Sequence, residues 1–144
     1  MTEIFEALRA RVGQTVSDGP VPFMRWLSPE VVAVEEGRLT YRIVLREEML
    51  NGMGTLHGGV SAAMIDDIVG TVVLTLPDPV FYVSLNLSVD YLGPARAGEA
   101  VIVHGYLIKK GRRHVLGVGE VWNADESRML VRGTVHLVPR EARG

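Results

Sequence analysis

The segment from Asn51 to Asp66 holds the residues best suited to chemistry, in the order N-G-M-G-T-L-H-G-G-V-S-A-A-M-I-D. Gly58 and Gly59 stand where a long apolar helix is expected to begin. The first amides of a helix have no partner within it and carry partial positive charge, and glycines there let a carbonyl group approach closely. Asp66 follows in the same helix. Backbone donors and an acid are the groups that acyl transfer at a carbonyl requires.

Two adjacent aspartates interrupt this apolar segment. An ionised carboxylate in an apolar setting is costly unless it is paired, hydrogen-bonded or retained for function. The side chains of Asp66 and Asp67 point about 100° apart, so we expect that they cannot share one site. The neighbours of Asp66 at helical spacing are all small: Ala62, Ala63 and Gly70. We therefore assign Asp66 to the site and Asp67 to structure; a buried carboxylate that caps backbone or pairs with an arginine is the alternative for Asp66.

The elements that must position these residues follow from the hydropathy pattern. A short amphipathic helix is expected at 2–13 on the outside, within a lead-in of residues 1–28 that is otherwise irregular. The segment 59–76 is apolar around nearly its whole circumference, which is typical of a buried helix. Strands are predicted at 30–36, 38–46, 83–91, 98–110, 112–123 and 128–138. Because hairpin-length turns separate most of them, we predict an α+β fold in which a largely antiparallel sheet packs on one helix.

Length and composition limit the class of protein. The 144 residues fit one domain, 1–144, that can bury a real core. With 47% hydrophobic and 22% charged residues, disorder is not expected, and a net charge of −2 offers nucleic acid no general attraction. The start lacks a secretory signal, and the most apolar stretch, Ile68 to Leu76, is too short to span a bilayer. A cytoplasmic protein without a membrane partner is expected.

Metal and thiol chemistry find little support in the sequence. The chain has no cysteine, so it has no disulfide, no thiol nucleophile and no thiolate metal site. His104, His114 and His136 fall on different predicted strands without ligand spacing. No metal site is predicted.

Several spaced motifs agree in their order along the chain. They are Asn51-x-x-Gly54-x-x-His57-Gly58-Gly59, an acid nine positions after that histidine, Val83-Ser84, and Tyr91-x-x-Pro94-Ala95. This set, within residues 30–138, resembles the PaaI-like branch of hotdog-fold acyl-CoA thioesterases. The resemblance implies a hotdog fold, with an antiparallel sheet wrapped around one long helix, and protomers that pair edge to edge and often form tetramers. It implies hydrolysis of an acyl-CoA to free acid and CoA, with no cofactor because coenzyme A is part of the substrate.

The resemblance also implies roles for individual residues. The backbone N–H of Gly58 is the oxyanion donor, and Asp66 is either the nucleophile or the general base on water. His57 orients the thioester or supports the loop, and Asn51 lies near the substrate or the attacking water, which Ser84 orients. Each of these three has a plainer interpretation: a helix cap for His57, a left-handed turn for Asn51 and a solvent-facing hydroxyl for Ser84.

Basic residues are candidates for binding the coenzyme A phosphates. The run Lys109-Lys110-Gly111-Arg112-Arg113 occupies a predicted hairpin turn, where exposed charge is the normal state. The substrate-binding candidates are Gly59, Arg96, Lys110, Arg112 and Arg113. For the basic run 109–113 the favoured alternative is a solvated turn that binds no phosphate. For Gly59 the alternative is a conformational role. Phe23, Met24 and Trp26 either pack locally or line an acyl pocket or a subunit contact.

Gly58 and Asp66 cannot serve one site from one helix. At a rise of about 1.5 Å per residue they lie about 12 Å apart, whereas the reacting carbonyl must be roughly 3 Å from each. If two copies of the helix run antiparallel across a two-fold axis, the start of one meets the middle of the other. We therefore predict that a homodimer is required for catalysis, with a dimer of dimers implied by the resemblance.

Two other functions stay open. One is a hotdog dehydratase or hydratase of hydroxyacyl thioesters, which normally uses a histidine and an acid at a different spacing. The other is a non-catalytic acyl-CoA-binding module, which would gain nothing from a desolvated carboxylate beside a thioester. A serine hydrolase is disfavoured because the sequence has no G-x-S-x-G motif.

Overall fold

The computed structural model describes residues 2–78 and 80–140; Met1, Pro79 and residues 141–144 of the predicted 1–144 domain lie outside the described residues. The helices and strands, in chain order, are α1 (Glu3–Arg9), α2 (Pro22–Leu27), β1 (Glu30–Glu35), β2 (Arg38–Val44), α3 (Gly58–Val72), β3 (Tyr82–Tyr91), β4 (Ala100–Lys110), β5 (Val115–Asn123) and β6 (Met129–Pro139). A 3-10 turn, Val73–Thr75, extends α3 to within one residue of the predicted end.

The six strands form one sheet in the order β1-β2-β4-β5-β6-β3, and every neighbouring pair is antiparallel. The helix α3 connects β2, next to one edge of the sheet, to β3, which forms the opposite edge. All six predicted strands are present with ends shifted by a few residues. The predicted hotdog architecture, an antiparallel sheet around one long helix, is confirmed.

One face of the sheet packs on α3. The helix side chains that meet it are fully buried: Ile65, Ile68, Val69 and Val72. Burying each such side chain stabilises the fold by roughly 1.5–3 kcal/mol. Glycines on the strands permit the close approach, because a Cβ atom on Gly117 would overlap with Cγ1 of Val69. The helix that carries the candidate chemistry is therefore held firmly in place.

Gly58–Thr75 is also long and apolar enough, by length and composition alone, to cross a membrane, with a mean hydropathy of 1.4 over 18 residues. The apolar stretch identified from the sequence, Ile68 to Leu76, corresponds to the second half of this 18-residue segment. Helices in a protein core meet the same criterion. Packing against the sheet buries one face of this helix, which includes Ile65, Ile68, Val69 and Val72.

The N-terminal region differs from prediction in two ways. α1 ends at Arg9, earlier than the predicted residue 13; it lies on the outside as expected, with Phe5 buried on its inner face. The lead-in predicted to be irregular contains α2, which begins at Pro22. Proline is accommodated at the first helical position because its missing N–H would have no partner there. Phe23 and Trp26 lie on α2 with ring centroids 5.9 Å apart.

Candidate active site

The start of α3 is organised by His57 and Tyr91. His57 is the N-cap residue, and its Nδ1 accepts a hydrogen bond from the Gly59 N–H at 2.9 Å. The Gly58 carbonyl accepts hydrogen bonds from Tyr91 Oη at 2.9 Å and from Ser61 Oγ at 3.0 Å. The Gly58 N–H donates to no acceptor within residues 2–78 and 80–140. Among these first amides, that of Gly58 is therefore open to a ligand, while that of Gly59 is already used.

Tyr91, the first residue of the motif Tyr91-x-x-Pro94-Ala95, contacts the start of α3, a role that the sequence did not predict. Its ring packs on the helix start so closely that a Cβ atom on Gly58 would lie 3.2 Å from Cε1 of the ring. Since real Cβ contacts are rarely so short, a side chain at residue 58 would displace Tyr91 or the helix start. Glycine therefore suits this position both for packing against Tyr91 and for access to the backbone.

Asn51 folds the loop before the helix. Its Oδ1 accepts hydrogen bonds from the N–H groups of Met53 and Thr55, and its Nδ2 donates to Thr55 Oγ1 at 2.9 Å. The left-handed residue of the loop is Gly54, with φ of 76°, and not Asn51. The interpretation of Asn51 as a left-handed turn residue was therefore wrong. Asn51 also lines a cavity of about 430 Å³ together with Gly58, Tyr91 and Pro94, so it lies beside the open amide.

Asp66 is held by Ser84. Ser84 Oγ donates a hydrogen bond to Asp66 Oδ1 at 2.7 Å. Ser84 pairs with Leu137 of β6, whereas Asn86 pairs with His136, so Leu85 is an extra residue in β3. Such a bulge turns the strand locally and can redirect a side chain. The Ser84 hydroxyl therefore meets the acid, which corrects the interpretation of a hydroxyl that faces only solvent.

Asp67 is half-buried in the single chain. Burial raises the pKa of Asp67 from 3.8 to about 6, and the nearby charge of Asp66 adds to the rise. Its Oδ2 is buried and has no hydrogen-bond partner in the described part of the chain. Asp66 and Asp67 line one cavity of about 390 Å³ with Phe23 and Ala63. The expectation that the two carboxylates do not share one site stays a prediction, although both residues border this cavity.

The predicted phosphate-binding residues lie in two places. Arg96 is exposed, and its backbone bridges to Thr55 of the Asn51 loop. Lys110, Arg112 and Arg113 are exposed at the β4–β5 hairpin. That hairpin joins β4 and β5 at the end of the sheet that carries Ser84, two to three strand spacings from β3, or about 10–14 Å. Arg96 therefore lies near the start of α3, whereas the hairpin cations lie at the end of the sheet that carries Ser84.

Strand pairing brings two of the three histidines together. His114 Nε2 and His136 Nδ1 are hydrogen-bonded at 2.7 Å, because His136 lies on β6 next to the start of β5. His104 contacts Thr40 and Glu126 instead. His104 and His136 lie on different strands, as predicted, and His114 directly precedes β5. Strand pairing nevertheless brings His114 and His136 into contact. No group of three or more potential ligands that could hold a metal ion occurs among the residues described.

Comparison with known proteins adds to this geometry. The profile of the thioesterase superfamily matches residues 53–130. Acyl-coenzyme A thioesterase 13 of Homo sapiens is 27% identical over 109 residues, which cover 74% of this chain and 78% of that protein.

Two solved structures have a similar fold. Zebra fish thioesterase superfamily member 2 has a TM-score of 0.80 at 24% identity. The match covers 96% of this chain and 94% of the zebra fish chain. The E. coli PaaI protein from the phenylacetic acid degradation operon has a TM-score of 0.78 at 16% identity. The match covers 85% of this chain and 87% of the PaaI chain. The predicted similarity to PaaI-like hotdog proteins is confirmed.

Proposed function

Since the chain belongs to the thioesterase superfamily, we propose that it hydrolyses an acyl-CoA thioester to the free acid and coenzyme A. The matched residues 53–130 include Gly58, Asp66 and Ser84. The name of the human relative, acyl-coenzyme A thioesterase 13, supports coenzyme A thioesters as the substrate class. Coenzyme A is then a substrate component, and no cofactor is required.

The hydrogen bond from Ser84 Oγ to Asp66 Oδ1 is the observation that carries the proposal. A hydroxyl donor fixes the carboxylate in one orientation. Asp66 then acts in one of two ways. As a nucleophile it attacks the thioester carbon, the C–S bond breaks, and water hydrolyses the resulting anhydride; as a general base it takes a proton from the attacking water.

The open amide of Gly58 supplies the complementary group. A tetrahedral intermediate carries negative charge on its oxygen, and a backbone N–H fixed at a helix start stabilises that charge. Tyr91 and Ser61 hold the Gly58 carbonyl, so the first turn is fixed before substrate arrives. Asn51 and His57 have supporting roles, because their side-chain hydrogen bonds shape the loop and cap the helix.

Two subunits are needed to bring these groups together. Gly58 and Asp66 are eight residues apart on α3, or about 12 Å, which is too far for one carbonyl to contact both. β3 supports a dimer because it is an edge strand with the exposed apolar side chains Val83, Leu85 and Tyr91, and the exposed Leu92 directly follows it. Exposed apolar edges readily pair with another strand. We propose a homodimer in which Asp66 faces Gly58 of the partner subunit, and a further pairing of dimers.

The phosphates of coenzyme A require cations outside this centre. Arg96 is the first candidate, because it adjoins the Asn51 loop and the cavity at the helix start. Lys110, Arg112 and Arg113 remain candidates through the second subunit. The charge of each is available, since all four side chains are exposed.

A thiol-release assay tests the proposed function. Short, medium, long and aromatic acyl-CoAs are compared in the parent protein, Asp66→Asn and Asp66→Ala, with the exposed Asp78→Asn as the matched control. Loss of the acid should lower kcat by roughly 10²–10⁴-fold, and the control should retain the parent rate. Unchanged rates in folded Asp66 variants would contradict the mechanism. Tight acyl-CoA binding without thiol release would favour a binding module, and hydration of an enoyl-CoA would favour a hydratase.

A further inference from the structure

A continuous series of hydrogen bonds runs from the edge strand β3 to the ring of His57. Tyr91 Oη donates to the Gly58 carbonyl at 2.9 Å, and the N–H of the same peptide group, which belongs to Gly59, donates to His57 Nδ1 at 2.9 Å. A peptide whose carbonyl accepts a hydrogen bond is a better donor at its N–H, because hydrogen bonds in series polarise one another. Tyr91 and His57 are therefore coupled through one peptide group.

The packing of both rings fixes this series in place. Tyr91 pairs with Val131 of β6, so the register of the sheet holds its side chain at the helix start. A Cβ atom on Gly58 would lie 3.2 Å from Cε1 of Tyr91, and a Cβ atom on Gly59 would lie 3.1 Å from Nδ1 of His57. The two glycines therefore allow both rings to lie against the peptide group that joins them.

The contact at Nδ1 determines where His57 carries its proton. A ring nitrogen that accepts a hydrogen bond has no proton, so the proton of the neutral ring is on Nε2. Within residues 2–78 and 80–140 the ring makes no other hydrogen bond, and the residue is exposed. His57 therefore presents Nε2–H as a donor next to the open amide of Gly58. Its neutral ring has no unoccupied nitrogen that could accept a proton.

We propose that Tyr91 is a positioning residue of the thioester reaction: it holds His57 in the Nε2–H form, so that His57 donates a hydrogen bond to a carbonyl oxygen of the substrate and does not act as a base. This inference rests on the proposed thioesterase function. Proton transfer then falls to Asp66. A hydratase that shuttles protons between a histidine and an acid would lack its histidine base in this arrangement.

NMR of the histidine rings tests the position of the proton. A proton–nitrogen correlation spectrum at about pH 8, where an ordinary histidine is neutral, distinguishes protonated from unprotonated ring nitrogens. His57→Asn identifies the His57 signals by their absence. In the parent, Nδ1 of His57 should be unprotonated and Nε2 protonated. In Tyr91→Phe, both signals should move toward the average of the two neutral forms.

A second tyrosine provides the matched control. Tyr106 Oη donates a 2.6 Å hydrogen bond to Glu120 Oε2, and Tyr106 lies on the sheet face away from α3, since a Cβ atom on the preceding Gly105 would point at Ile68 of the helix. Tyr106→Phe therefore also loses one hydroxyl hydrogen bond, but not at the helix start. The His57 signals and the rate of thiol release should both equal those of the parent.

Thiol release tests the role in the reaction. Tyr91→Phe should lower kcat about 5-fold or more with little change in KM, because a lost hydrogen bond weakens the placement of a group that acts in the transition state. His57→Asn keeps a side chain that can cap the helix but removes the ring. In this background Tyr91→Phe should have a much smaller effect on kcat than in the parent, since residues that act through each other are not additive.

Several results would overturn the inference. One is a parent protein in which His57 carries its proton on Nδ1 or exchanges between the two forms. Another is a Tyr91→Phe protein that keeps either the parent spectrum or the parent kcat. An equal loss of kcat in the parent and His57→Asn backgrounds would identify Tyr91 as structural only. If no acyl-CoA releases thiol, the proposed function fails, whereas the spectra of the parent and Tyr91→Phe still decide whether Tyr91 holds the ring.

Discussion

Ser84 Oγ donates a 2.7 Å hydrogen bond to Asp66 Oδ1 across 18 positions of sequence, from an edge strand to the central helix. The contact depends on the bulge at Leu85, which lets β3 keep its pairing with β6 on both sides of the site. It orients the carboxylate in the free protein. The acid is therefore positioned before a substrate or a partner subunit arrives.

Removal of the Ser84 hydroxyl should slow the chemical step. Ser84→Ala is expected to lower kcat by roughly 10–100-fold with little change in KM, because a hydrogen bond to a charged group contributes about 1.5–3 kcal/mol. Steady-state thiol release measures this. Ser17→Ala, at an exposed position away from the site, is the control. A parent-like kcat in Ser84→Ala would mean that the contact has no role in catalysis.

A methyl group at the helix start should disturb the oxyanion donor. In Gly58→Ala the new Cβ would press on the Tyr91 ring at 3.2 Å, so either the ring or the first turn must move. Misplaced donors lose transition-state stabilisation, and we expect kcat/KM to fall about 10-fold or more. Gly52→Ala is the matched control, since a Cβ there meets no atom within 4 Å. Equal activity of the two variants would contradict the assignment of the Gly58 amide.

The apolar edge of β3 should control assembly. Leu85 is 67% exposed in the single chain, and Leu85→Lys is expected to yield a folded monomer with almost no thiol release. Sedimentation and circular dichroism measure assembly and folding separately. Val32→Lys, on the opposite edge strand, should leave both assembly and activity unchanged. A folded Leu85→Lys monomer that hydrolyses thioesters at the parent rate would refute the shared site.

Asp67 should make stability depend on pH. Its pKa is raised from 3.8 to about 6 on folding, so the folded state favours the protonated acid, and stability falls as pH rises through this window. Asp67→Asn should therefore stabilise the protein by about 1–3 kcal/mol at pH 8 and by little near pH 4. Urea unfolding at the two pH values measures the difference. An equal effect of the substitution at pH 4 and pH 8 would show that the charge of Asp67 is not responsible.

The sequence was sufficient for the elements that local periodicity determines. The apolar circumference of α3 and the alternation in β3 predicted a buried helix and a strand, and both are present. The short helix α2 was missed because the lead-in of residues 1–28 was predicted to be irregular after its first helix, although proline fits a first helical position.

The contacts that define the site are long-range, and periodicity does not determine them. Tyr91 meets Gly58 across 33 positions, and His114 meets His136 across 22. Both contacts follow from the strand order and the register of β3, β5 and β6. The unpartnered carboxylate of Asp67 was missed for the same reason, since its surroundings include Phe23 of α2, far away in the sequence.

Mixed dimers test the shared site most directly. Asp66→Ala and Gly58→Val chains are each expected to form inactive homodimers. When equal amounts are dissociated and reassociated, half of the dimers are mixed, and each mixed dimer has one intact site, so about a quarter of the parent activity should return. If Asp66 and Gly58 instead acted within one chain, no mixed dimer would contain an intact site. Thiol release that stays at the level of the homodimers, with mixed dimers demonstrated by mass spectrometry, would contradict a site shared between two subunits.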